Sequence, residues 1–230
     1  MKYITTAFFV FITSLGLDAH ALFLETATQG QAGKGHHVTI YYAEPDGERE
    51  LVKDWWADVS AFELWLHLPD GTTHQLEVIP DQDHFTATFI PDDPGMYHLT
   101  ISHTVNQIAG KTQYVFNASA HVQVGKTRTK SDWNLPIDQV VEIDHDARLK
   151  SKRDVSLHYQ IQDKPAVNAT LSVFSPAGWS KVVKTNSEGS ASFIPEWKGT
   201  YWIEAIHKSE VSGKPYEHVV QIYTTQLRVR

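Results

Sequence analysis

A fifteen-residue pattern occurs twice in this chain and constrains its fold more than any other feature. Phe89–His103 and Phe193–His207 both begin with Phe-Ile-Pro, continue with Gly and Tyr six and eight positions after the phenylalanine, and end in histidine. The two copies align without a gap. The sequence therefore predicts a duplicated domain.

Apolar and polar residues alternate along most of the chain, and Gly- and Pro-containing turns separate the alternating segments. Three such segments are His37–Tyr42, Ala61–Leu68 and, in the second half, Val155–Tyr159. Alternation with period two is typical of antiparallel β-strands. We expect an all-β fold consisting of two tandem immunoglobulin-like β-sandwich domains.

The repeat and the turn positions set the expected boundaries. We assign residues 1–19 to a cleaved signal peptide, 20–125 to the first domain, 126–138 to a linker and 139–230 to the second domain, whose first strand is expected near Gln139–Ile143. The apolar stretch within residues 1–19 is shorter than the roughly 20 residues that span a bilayer. The mature chain is expected in the periplasm, without a transmembrane segment.

Cleavage is plausible at two points, after Ala19 or after Ala21. The first leaves His20 as the first mature residue, whereas the second removes it. The choice matters because an N-terminal histidine offers two nitrogen donors, its α-amino group and its imidazole.

Composition excludes several functions. The chain has no cysteine, so disulfides and thiolate ligands are absent, and its net charge is −7. No block of basic residues is present, which argues against nucleic-acid binding. Neither a Gly-x-Ser-x-Gly motif nor a phosphate-binding or dinucleotide-binding glycine pattern occurs. We therefore expect a protein that is not an enzyme.

Three of the thirteen histidines are candidate metal ligands. His103 and His207 end the two repeats at equivalent positions, where an isolated histidine is commonly half-buried and bonded to a carbonyl. His20 begins the first predicted strand, at the sandwich end where His103 finishes, so the two are expected within ligand reach. His207 joins them only if the second domain folds back onto the first.

Nitrogen ligands suit divalent transition metals. The expected cargo is Ni(II) or Co(II), with Cu(II) or Zn(II) as alternatives. Oxidative copper enzymes that act on polysaccharides also use an N-terminal histidine on a β-sandwich, but no other sequence feature supports such a reaction.

The segment Ala43–Ser60 has no counterpart of equal length in the second half, and it carries Trp55 and Trp56. This pair either packs, on the neighbouring domain or over a sandwich end, or forms an exposed aromatic patch. The second possibility supports the alternative function, a non-catalytic tandem β-sandwich interaction or adhesion module without metal.

Four short motifs, Ala19–Glu25, Phe116–Ala120, Thr185–Gly189 and the strand that ends in His207, carry a resemblance that spans nearly the whole mature chain. The chain resembles a family of periplasmic bacterial proteins of uncharacterised domain type, described as periplasmic components of nickel or cobalt uptake. The resemblance implies metal capture before transport, a membrane metal transporter as partner, cleavage after Ala19, and His20 and His207 as ligands.

Overall fold

The structure is a computed structural model that describes residues 20–45, 47–125, 135–143 and 149–230. The predicted signal peptide and most of the predicted linker lie outside these residues. Within them the secondary structure is β apart from two short 3-10 helices, Val52–Asp54 and Val59–Ala61, which confirms the all-β prediction. No helix in these ranges has the length and apolar character needed to cross a membrane.

The first sandwich consists of two packed sheets. Its strands are β1 Ala21–Thr26, β2 Gln29–Gly30, β3 His36–Ala43, β4 Leu64–His67, β5 Thr73–Leu76, β6 Ile79–Pro80, β7 Phe85–Phe89, β8 Gly95–Thr104 and β9 Thr112–Val124. One sheet has the order β1-β3-β7-β6, and the facing layer has the order β5-β4-β8-β9, with β2 pairing parallel to the end of β9.

The second sandwich repeats this plan. Its strands are β10 Gln139–Ile143, β11 Val155–Ile161, β12 Lys164–Pro165, β13 Thr170–Phe174, β14 Ser180–Lys184, β15 Ser190–Phe193, β16 Gly199–Glu210 and β17 His218–Val229. One sheet contains β10, β11, β12 and β15, and the facing layer has the order β14-β13-β16-β17. The immunoglobulin-like prediction is confirmed for both halves.

Both repeats fold into the same corner. The Tyr97 hydroxyl donates to the Asp93 carbonyl at 3.0 Å, and the Tyr201 hydroxyl donates to the Trp197 carbonyl at 3.1 Å. Both tyrosines are buried. A buried tyrosine that bonds back to the preceding backbone is a recurring feature of this fold, so the tyrosine of the repeat is structural.

The facing layers of the two sandwiches join into one sheet. Strand β17 pairs in parallel with β9, from His218 opposite Thr112 to Thr225 opposite Ser119. The resulting sheet has nine strands. A hydrogen bond of 2.6 Å between Ser119 Oγ and the buried Tyr223 hydroxyl crosses the junction. The domains therefore lie side by side, with a continuous backbone ladder between them.

The two apolar cores lie on opposite faces of this shared sheet. Residues that are register partners point to the same face, and neighbours along a strand point to opposite faces. Ile222 is the partner of Phe116, and both are buried in the first core. The next residue, Tyr223, is buried in the second core together with Leu227.

The first sheet also packs against the second domain. Gln226 Nε2 donates to the Thr26 carbonyl at 2.7 Å. Phe23 and Tyr41 are register partners with rings stacked at 5.2 Å, and Trp202 meets Phe23 edge-on at 4.9 Å. These contacts create a groove between the domains beyond the aromatic cluster.

Candidate functional site

His20 lies directly before β1, at one end of the first sandwich. Its Nε2 atom is 2.7 Å from Glu50 Oε1, and its Nδ1 atom is 3.8 Å from Glu44 Oε1. The imidazole packs on the Tyr42 ring with 5.1 Å between the centroids. The side chain is 31% exposed. The imidazole is thus held on an aromatic ring, between two carboxylates, and within reach of solvent.

Strand pairing explains why the two carboxylates meet here. Ala21 pairs with Ala43, so the residue before β1 comes opposite Glu44. The chain then turns back, and the Glu50 amide donates to the Tyr42 carbonyl at 3.0 Å. Glu44 and Glu50 therefore approach the same ring from the two ends of one turn.

Two carboxylate side chains lie beside His20. Neither Glu44 nor Glu50 forms an ion pair with a lysine or arginine among the described residues, and Arg49 instead binds Glu25 at 3.1 Å. Burial raises the pKa of the Tyr42 phenol, and the charge on Glu50 raises it further. Tyr42 therefore stays neutral at physiological pH, and the two carboxylates dominate the local charge.

His103 lies near the end of β8, and its side chain is 12% exposed. Its Nε2 atom is 3.7 Å from Asp58 Oδ1, which is ion-pair distance but too long for a hydrogen bond. Asp58 accepts a hydrogen bond of 3.0 Å from the Asn106 amide. No hydrogen-bond partner for His103 Nε2 occurs among the described residues, so the commonplace carbonyl bond is not formed at this atom.

His20 and His103 lie at the same end of the first sandwich, as the strand order predicted. Aromatic rings nevertheless stand between them: His20 packs on Tyr42, Tyr42 packs edge-on against Phe116 at 5.6 Å, and Phe116 is the register partner of His103. Trp55 packs on Tyr42 from another side at 5.7 Å. The two histidines lie in separate polar surroundings, His20 beside Glu44 and Glu50, and His103 beside Asp58.

His207 lies on the other face of the shared sheet. Its register partner is Gln221, whose partner in β9 is Val115. His103 is instead opposite Phe116, the next residue of β9. The second domain does lie beside the first, yet three strand spacings, about 14 Å, and the sheet itself separate the two histidines.

The predicted three-histidine cluster is therefore not assembled in this arrangement. Within residues 20–45, 47–125, 135–143 and 149–230, no group of three histidine or carboxylate side chains converges as a metal site. The α-amino donor expected at His20 depends on cleavage after Ala19, which lies outside the described residues.

Trp55 is buried and Trp56 is partly buried. Trp55 is 6% exposed and contacts Phe62 and Phe85, and its Nε1 donates to the Glu50 carbonyl at 3.1 Å. Trp56 is partly buried against the first core. Trp55 is therefore not part of an exposed aromatic patch, and the interaction-module alternative loses this residue as support.

Sequence reasoning missed Glu44 and Glu50 as neighbours of His20. Both lie in the segment that distinguishes the first domain, and Glu50 belongs to a short charged run. The only sequence signal was that this segment begins directly after the strand that pairs with the residues following His20.

Comparison with protein families gives one match that spans most of the chain. Residues 17–209 match the model of the family described as a domain of unknown function, DUF4198. The chain belongs to this family. The description assigns no function, and no curated relative matches the chain.

Solved structures resemble the chain only weakly. Trypsin-activated alpha-2-macroglobulin from Escherichia coli is 12% identical with a TM-score of 0.30, and the match covers 93% of this chain and 16% of that one. A bacterial ice-binding adhesin is 11% identical with a TM-score of 0.28, and the match covers 92% of this chain and 64% of that one. A DUF4785 family protein from Legionella pneumophila is 14% identical with a TM-score of 0.30, and the match covers 78% of this chain and 50% of that one. The chain thus spans about a sixth of the macroglobulin, and similarity at this level carries no information on function.

Proposed function

We propose that this DUF4198 protein is a periplasmic, non-catalytic protein that binds a divalent transition metal ion at His20. The proposed cargo is Ni(II) or Co(II), handed to a membrane metal transporter, and the same donors suit Cu(II) or Zn(II). The observation that carries the proposal is the His20 imidazole, partly exposed between Glu44 and Glu50.

The two ring nitrogens have different roles in this proposal. Glu50 accepts the hydrogen of Nε2 at 2.7 Å and so fixes the tautomer in which Nδ1 carries the free electron pair. After cleavage behind Ala19, Nδ1 and the α-amino group of His20 belong to one residue and close a chelate ring around a metal ion. Glu44, on the Nδ1 side, supplies an oxygen ligand after a small movement from 3.8 Å.

The local charge supports a cation in this position. Two carboxylates without a basic partner among the described residues attract a divalent ion, and its binding relieves the repulsion between them. Metal affinity falls at low pH because the amine, the imidazole and the carboxylates must be deprotonated to act as ligands.

The test is calorimetric titration of exported, mature protein with Ni(II), Co(II), Cu(II) and Zn(II), after its intact mass has established the first residue. We expect tight binding in protein that begins at His20 and no binding in His20→Ala. Glu50→Gln should lower affinity by about 10- to 100-fold, since it weakens the support of the ligating ring.

Matched controls separate this site from general histidine binding. His74→Ala removes an exposed histidine on β5 and should leave the affinity unchanged, and we expect the same of His103→Ala and His207→Ala. One added residue before His20 converts the amine into an amide and should abolish the chelate. A mature chain that begins at Leu22, or equal affinity with and without the added residue, overturns the proposal.

A further inference from the structure

A groove of about 890 Å³ lies between the two domains, at the end of β1 opposite to His20. Its volume falls within the range of roughly 300–1,000 Å³ that small-molecule sites occupy. The first domain contributes Thr26, His37 and Thr39, and the second contributes Thr200 and Arg228. A groove built from both domains exists only because the shared sheet holds them together.

The aromatic cluster closes one end of this groove. Trp202, Phe23 and Tyr41 pack together on the facing surfaces of the two domains. Because side chains two positions apart on a strand share a face, Thr200 and Thr39 continue these surfaces into the groove. The lining beyond the aromatic cluster is rich in hydroxyl groups.

The groove is positively charged in a protein of net charge −7. Lys198, Arg228 and Arg230 line it, and none of the three has an ion-pair partner among the residues that the structure describes. The acidic side chain in the lining, Glu25, is bound to Arg49 at 3.1 Å. Uncompensated cations therefore collect at the seam between the domains.

Arg228 is held in position for a ligand. Its Nη1 atom donates to Thr200 Oγ1 at 2.7 Å, across the register pair that these two residues form. This bond uses one of the five guanidinium N–H groups and restrains the planar fork. A restrained arginine fork binds the paired oxygens of a carboxylate or phosphate in bidentate fashion.

We propose that this groove binds a ligand with a carboxylate or phosphate group, which Lys198 and Arg228 of the second domain hold against the first domain. The oxyanion lies between these two cations, while the hydroxyls of Thr39 in the first domain and Thr200 in the second bond the polar remainder of the ligand. This site is separate from the metal site proposed at His20 and does not depend on it.

The test is calorimetric titration of the full mature chain with inorganic phosphate and with citrate, supported by amide chemical shifts from NMR. We expect saturable binding of at least one probe, with shifts at Thr26 and Thr200. Lys198→Ala combined with Arg228→Ala should weaken binding by about tenfold or more. Arg228→Lys should lose part of the affinity because it keeps the charge but not the fork. A preference for phosphate or for citrate identifies the oxyanion.

The matched control is Lys181→Ala combined with Lys184→Ala, which removes the same charge from exposed positions on β14 of the same domain. Its affinity should stay within about twofold, because exposed charges outside the groove contribute little. Thermal unfolding of every variant verifies folding. Saturable binding of neither probe, or an equal loss in both double variants, overturns the proposal.

Discussion

The two sandwiches share one repeat and one corner but close their ends differently. In the first, the segment between β3 and β4 places Trp55 against Tyr42, brings Glu50 to His20 and sets Asp58 beside His103. In the second, the corresponding connection is short and contains only the two-residue strand β12. The duplication therefore preserves the corner, while the added segment gives the first domain its candidate site.

A second difference lies on equivalent positions of β8 and β16. Thr100 is buried and bonded to His67 Nε2 at 2.8 Å. Glu204 occupies the matching position of the second repeat, because both residues lie five positions after the glycine of their repeat. Glu204 is buried, with 7% exposure. Its Oε2 atom has no hydrogen-bond partner among the described residues, and burial raises its pKa to about 7. The buried polar side chain at this position is therefore hydrogen-bonded in the first domain, whereas its counterpart in the second domain has an oxygen left unsatisfied by the described part of the chain. Glu204 lies on the side of the shared sheet where the first domain packs.

Replacing Trp55 tests whether the added segment is part of the first core, and it should give the largest effect. Trp55→Ala should cost about 3–5 kcal/mol of unfolding free energy, since it empties a buried site among aromatic rings. Trp56→Ala is the control and should cost clearly less, because Trp56 is only partly buried. Urea unfolding measures both, and equal losses would contradict the packing described.

Replacing Glu204 tests whether this buried carboxyl destabilises the second domain. Its folded pKa of about 7 lies above the ordinary value of 4.5, so the native state binds more protons between these two values. Stability should therefore fall as the pH rises through this window, by on the order of 3 kcal/mol in total. Glu204→Gln should remove that slope and be more stable than the parent protein at pH values above the window.

The control for this experiment is Glu210→Gln, which changes an exposed carboxylate on the same strand. It should leave the pH profile of the unfolding free energy unchanged. A flat profile in the parent protein, or the same response in both variants, would show that the buried carboxyl carries no penalty.

The corner tyrosines should respond alike, with the smallest effect. Tyr97→Phe and Tyr201→Phe each remove a buried hydroxyl that bonds backbone groups at 3.0 to 3.2 Å. Each change should cost about 1 kcal/mol. Thermal unfolding measures both values, and a large difference between them would break the equivalence of the two corners.

Local pattern predicted much of the strand content. The strand Gln139–Ile143 was predicted with the observed bounds, and His37–Tyr42 lies within β3. The strand predicted from Ala61 begins only at Leu64, because the chain first forms a 3-10 turn. Strand β17 begins at His218, and its first residues are among those that pair with β9. The alternation of apolar and polar residues indicates which side chains of a strand are buried. It does not indicate which distant strand pairs with that strand.

The candidate site was likewise predictable from the sequence only in part. His20 stood out because of its place after a signal-like segment, and that place is a property of the sequence. Glu44 and Glu50 join it through strand pairing and a turn, which only the folded chain specifies. The groove between the domains was invisible to sequence analysis because its two walls come together only when the second domain lies beside the first.

The sequence by itself determined that this protein consists of two similar β-sandwiches, because the repeat and the period-two alternation are local. Only the tertiary structure decided how they join. Side chains alternate across a strand, so a shift of one residue in the pairing of β17 with β9 reverses every facing relation between the domains. The observed register places Phe116 opposite Ile222. That register puts the two cores on opposite faces and keeps His103 and His207 apart, although the repeat makes them equivalent.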